Sequence, residues 1–105
     1  MPIPTIQPLL LPVLQIVADK AEQSVEEIRK SVKDNPKFKL TPTEVKQTHP
    51  ASGINVFVNR VAWALAHLVM GRAIKLRGKG VYRIAKRGRA ILKQDPSELT
   101  IKELH

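Results

Sequence analysis

Apolar residues recur at helical spacing through the first two thirds of the chain and at alternate positions after it. From Ile6 to Ala18, Leu9, Leu10, Val13, Leu14 and Val17 form one stripe, and Thr5 stands where an N-cap belongs. Pro8 falls in the first turn, where its missing N–H is harmless. Pro12 lies deeper, so this first helix is expected to bend or restart there. Asp19 to Gln23 reads as a polar connection. Ser24 and Glu27 have capping-box spacing, and Val25, Ile28 and Val32 give a second helix its buried side as far as Asn35-Pro36. Thr41 and Glu44 repeat the box with Pro42 at the first helical position, opening a short helix that ends near His49-Pro50. Ser52-Gly53 marks a turn. A third long helix runs from about Asn55 to Met70, with Gly71 as its stop. Its inward face is Phe57, Val61, Ala64, Leu65 and Leu68. The opposite face is Asn59, Trp63, Ala66 and Met70, with Arg60 and His67 on one flank.

Ala73 to Leu76 and Val81 to Ile84 are short strands, joined through Arg77-Gly78-Lys79-Gly80 as a glycine-containing hairpin loop. Lys86 to Lys93 is a last short helix, ended by Asp95-Pro96. The predicted fold class is therefore mainly α with a small β-hairpin, a winged helix-turn-helix over residues 1–96. Residues 97–105 are expected to form a tail or the start of a linker to a further domain. In such a fold the long third helix enters the major groove and the hairpin loop lies along the backbone or minor groove.

Charge sharpens this picture. Eighteen Lys and Arg oppose nine Asp and Glu, so polyanions are the first partners to consider. Every acid lies at or before Glu44 or at or after Asp95. Lys46, Arg60, Arg72, Lys75, Arg77, Lys79, Arg83, Lys86, Arg87, Arg89 and Lys93 run between them without one. A merely solvated surface would intersperse acids. An apolar share of 43% suits one folded domain and excludes a disordered tail. The absence of cysteine removes disulfides, thiolate zinc sites and a cysteine nucleophile, and fits a reducing cytosol. The apolar stretch from Ile6 has no basic residue before it, is broken by prolines and is too short to span a bilayer. It reads as the core helix of a soluble cytoplasmic protein.

The candidate DNA contacts follow from position. Asn59, Arg60, Trp63 and His67 line the outward side of the third helix, where Asn suits adenine edges and Arg guanine edges. Two alternatives stay open: Trp63 packing against the hairpin or the first helix, and Asn59 bracing the preceding turn. Ser52, Gly53 and Asn55 precede that helix, whose free N–H groups suit a phosphate; Asn55 can equally be its cap. Arg77 and Lys79 on the hairpin loop, then Arg83, Lys86, Arg87 and Arg89, are placed for phosphates, though at most about half of these cations can face one duplex. Glu44-Val45-Lys46 matches a nuclease tripeptide but lacks a partner Asp, and Glu44 is already the capping acid of a helix. His49, His67 and His105 are isolated, so no metal or other cofactor is expected.

Pro2 to Thr5, Leu11 to Leu14 with Ala18-Asp19, Glu27-Ile28, Phe57 to Ala64 and Gly80 to Ile84 with Arg87-Gly88 resemble the N-terminal domain of Mrr-type restriction endonucleases. The Asn59-Arg60-Val61-Ala62-Trp63-Ala64 run is the most specific part. The resemblance implies a DNA-binding winged helix that partners a separate C-terminal nuclease domain in an enzyme cutting DNA with modified bases. Departures are Pro8 for a polar residue, Ala62 for Gly, and Ala85 for a Thr that would cap the last helix. The expected function is double-stranded DNA binding, methylated DNA included, as the recognition module of such a system, with no catalysis and no membrane association. A stand-alone transcriptional regulator and a protein-interaction winged helix are the rivals, and a nuclease is the weakest reading.

Overall fold

The computed structural model describes residues 6–35, 38, 41–48, 50, 52–96 and 99–104. Thr5, Pro36, His49 and His105, named above, lie outside them. Among the described residues, six helices and three strands follow in the order α1 (Ile6–Ala18), β1 (Gln23–Ser24), α2 (Val25–Lys33), α3 (Pro42–Lys46), α4 (Val56–Met70), β2 (Ile74–Arg77), β3 (Val81–Ile84), α5 (Lys86–Lys93) and α6 (Ile101–Leu104). The sheet is antiparallel in the order β1-β3-β2. The architecture is mainly helical with a small sheet, in a winged-helix arrangement.

The core is built on α1. It packs chiefly along α4 and also meets α2, β3 and α5. A helix covered on several sides needs more than a stripe, and Leu11 and Pro12 are buried together with Leu9, Leu10, Val13, Leu14 and Val17. Complete burial of each such Leu contributes about 1.5–3 kcal/mol. The helix neither breaks nor restarts at Pro12. The carbonyl that Pro12 leaves without an amide donor is that of Pro8, at the exposed start of the helix, where water can reach it. On α4 the buried residues are Phe57, Val61, Ala64, Leu65 and Leu68, the inward face read from periodicity.

Both capping boxes form. Ser24 Oγ accepts from the Glu27 N–H while Glu27 Oε1 accepts from the Ser24 N–H. Thr41 and Glu44 do the same for α3. That helix ends at Lys46, earlier than expected. Ala85 gives α5 no side-chain cap.

Two elements depart from the sequence expectations. The end of the polar connection is a strand: Gln23 pairs with Tyr82 and Ser24 with Val81, so the hairpin becomes a three-stranded sheet. Gln23 is buried and its Nε2 donates to the Ile16 carbonyl, a satisfied polar group against α1. The expected tail is packed: Leu99 and Leu104 join the core, and α6 lies against α4. Gly71 is required there, because a Cβ would sit 2.9 Å from the Leu104 carbonyl oxygen.

Candidate nucleic-acid interface

The outward side of α4 is open. Asn59, Trp63 and Met70 are exposed, while Arg60, Ala66 and His67 are partly covered. Trp63 retains 49% of its surface and is not part of the core. Its ring lies 6.1 Å from that of His67, one turn on and tilted by 38°. The imidazole therefore flanks the indole. Before the helix, Ser52, Ile54, Val56, Asn59 and Arg60 line a hollow of about 170 Å³. It sets two apolar side chains beside an amide and a guanidinium. Ile54, half exposed, was not among the expected contacts; its one signal in the sequence is an apolar residue in a polar turn.

The N-terminus of α4 is less available to a phosphate than expected. Asn55 caps it: Oδ1 accepts from the Val58 N–H at 2.9 Å and Nδ2 donates to the Val45 carbonyl at 2.8 Å, tying α3 to α4. The Val56 N–H donates to Gln47. The protein itself thus engages the first and third N–H groups of the helix, and Asn55 is a structural residue. Ser52 and Gly53 remain exposed; Ser52 Oγ accepts from the Ile54 N–H at 3.4 Å, and Gly53 holds φ 71°.

The hairpin loop is Gly78-Lys79-Gly80, both glycines at positive φ (64° and 68°), with Arg77 and Lys79 exposed at its tip. The loop is anchored rather than free: the Gly80 carbonyl accepts from the Val25 N–H at 2.7 Å. Arg83 and Lys86 lie toward the base of the hairpin with Lys75 and Arg89. Arg87 is turned to another task, its guanidinium donating to the carbonyls of Gly71 and Glu103 and so binding α5 to the ends of α4 and α6. A further groove of about 540 Å³ between α2, α3 and α4 carries Arg29, Lys30, Lys33 and Lys46 among Glu26 and Asp34.

The Glu27 and Glu44 carboxyls are held below the ordinary carboxylate range, above all by the backbone N–H of Ser24 and of Thr41 respectively. Glu44 is a capping acid in the structure as in the sequence. Among the described residues no group of three His, Cys, Asp or Glu could hold a metal ion, and no helix is long and apolar enough to cross a membrane.

Comparison with known proteins gives one family: residues 7–94 match the family described as the Mrr N-terminal domain. No curated protein and no solved structure gives a match.

Proposed function

The chain belongs to the Mrr N-terminal domain family, and from that premise we propose that it binds double-stranded DNA. The outer side of α4 docks in the major groove, and Arg77 and Lys79 at the hairpin tip meet the backbone. The matched domain covers residues 7–94 of the 105. Its role is recognition within a restriction system, and cutting belongs to a separate domain.

The observation that carries this reading is the acid-free run from Lys46 to Lys93, which includes the outer side of α4 and the hairpin. One-sign charge of this kind is a property of surfaces that meet phosphates. The half-exposed Trp63 and Met70 add apolar surface to the same helix face. A methyl group in the major groove is an apolar contact, and covering one removes about 1 kcal/mol of exposed surface energy, a preference of about fivefold. The test is a binding panel of unmodified, adenine-methylated and cytosine-modified duplexes of one sequence at fixed salt. Binding of all three with a preference of about fivefold for one mark, lost in Trp63→Ala, is expected. Equal affinity for all three would make the domain a general DNA tether, and no binding would refute the reading.

Among the described residues, the exposed large apolar side chains Ile54, Trp63, Met70 and Leu76 support a second reading as a protein-interaction module. It requires partner binding that is insensitive to salt.

A further inference from the structure

The turn before α4 holds an apolar side chain at the surface. Gly53 has φ 71°, and Ser52 Oγ accepts from the Ile54 N–H at 3.4 Å. Ile54 is 52% exposed and does not join the core. Val56, the first residue of α4, stands with it in the hollow of about 170 Å³ that Ser52, Asn59 and Arg60 complete. Asn59 and Arg60 follow Val56 by three and four positions, so the three share one side of the helix. Among the described residues no acid lines the hollow. Two branched apolar side chains beside an amide suit a ligand that is itself part apolar and part polar, and a phosphate offers Ile54 and Val56 nothing. In the major groove the apolar group on an unmodified base edge is the thymine C5-methyl, and Asn pairs with N6 and N7 of adenine, the partner of thymine. A helix-turn-helix reads base edges with the N-terminal residues of its recognition helix. The hollow lies at that end of α4.

We propose that this hollow takes the C5-methyl group of a thymine. Ile54 and Val56 cover the methyl, Asn59 meets an adenine at the rim, and Ile54 thereby sets a sequence preference. The volume is that of about six waters at about 30 Å³ each, room for a methyl and the ring edge that carries it. The inference rests on the docking of α4 in the major groove. It is separate from the Trp63 contact, which lies one turn further along the helix and concerns modified bases.

The test uses a duplex enriched from a random pool by the chain itself. It is made once with thymine and once with uracil, which lacks only the C5-methyl, and both forms are titrated by anisotropy at fixed salt. The unaltered chain is expected to bind the uracil form about fivefold more weakly, the effect of one methyl left uncovered. Ile54→Ala is expected to bind the two forms equally, with the melting temperature unchanged. Its slope of log K against log salt should also stay the same, because no cation is lost. Trp63→Ala is expected to keep the fivefold difference. Equal binding of both forms by the unaltered chain overturns the inference and leaves α4 docking standing. An undiminished difference in Ile54→Ala overturns it too, since the methyl would then be covered elsewhere. Absence of binding to either form overturns α4 docking and this inference with it. A third duplex, with uracil for thymine and 5-methylcytosine for cytosine, separates the two bases that carry this methyl. It is expected to bind as weakly as the uracil form; restored affinity would overturn the assignment to thymine.

Discussion

Arg72 holds φ 60°, in the left-handed region that favours glycine, while the neighbouring Gly71 does not. The end of α4 explains the reversal. The Arg72 N–H donates to Val69 O and the Ala73 N–H to Leu68 O, the paired bonds of a Schellman closure with Arg72 as its left-handed residue. Gly71 is used for close approach to Leu104, a reason no sequence pattern announces. The left-handed strain is about 1–2 kcal/mol for a residue with a Cβ, and the extra unfolded freedom of a glycine costs about 0.4–1 kcal/mol. Arg72→Gly is therefore expected to stabilise the fold by about 0.5–1 kcal/mol in urea unfolding; destabilisation would show that Arg72 makes compensating contacts. The capping acids fix the response to pH. Glu27 and Glu44 have carboxyls lowered by hydrogen bonds that the unfolded chain lacks. Their contribution is complete above the ordinary carboxylate value of 4.5 and fades as pH falls through the lowered folded values. The melting temperature should decline as pH drops below that point, and Glu27→Gln with Glu44→Gln should flatten the decline. Both boxes were legible because their spacing is local. Asn55 as cap was legible too, but its second bond, to Val45, depends on how α3 meets α4.

Helices and the hairpin were readable as elements, since a buried face leaves a period in the sequence. What escaped was short or conditional on tertiary contact. The two residues of β1 carry no period, and α6 spans only four residues whose burial comes from α4. Pro12 was expected to bend or restart α1; the helix runs on through it without a restart. In α5, Gly88 looks like a weak helix position whose replacement by Ala should gain about 1 kcal/mol. The structure reverses the sign: a Cβ there would lie 2.1 Å from the Ala73 carbonyl oxygen and 2.7 Å from Ile84 Cδ1. Gly88→Ala is expected to lose about 3 kcal/mol or more by chemical denaturation; a gain would mean that α5 does not press against Ala73 and Ile84. The hairpin tip carries its own prediction. Arg77→Ala with Lys79→Ala should lower affinity for every duplex by a similar factor and leave sequence preference unchanged, because a loop of this kind reaches phosphates rather than base edges. A changed preference in competition binding would assign the loop to base reading.

Across the whole molecule, the sequence located the cations but could not divide them among surfaces. Arg77, Lys79, Arg83, Lys86 and Arg87 follow one another closely in the chain, and the fold sets Arg77 and Lys79 at the hairpin tip, Arg83 and Lys86 toward its base, and Arg87 in a clamp between α5 and the ends of α4 and α6. The face of α4 was readable because helical geometry alone sets it. The division of the basic run was not, because it depends on strand register and on Gly88 letting α5 close onto Ala73 and Ile84. One consequence is that only part of the net charge of +9 can meet a single duplex. With about five phosphates neutralised, counterion release gives a slope of log K against log salt of about −4 to −5. Titrating duplex binding by fluorescence anisotropy across a range of salt concentrations measures that slope directly. A value near −4 to −5 is expected of a domain that holds DNA through its basic surface; a slope near zero would contradict it.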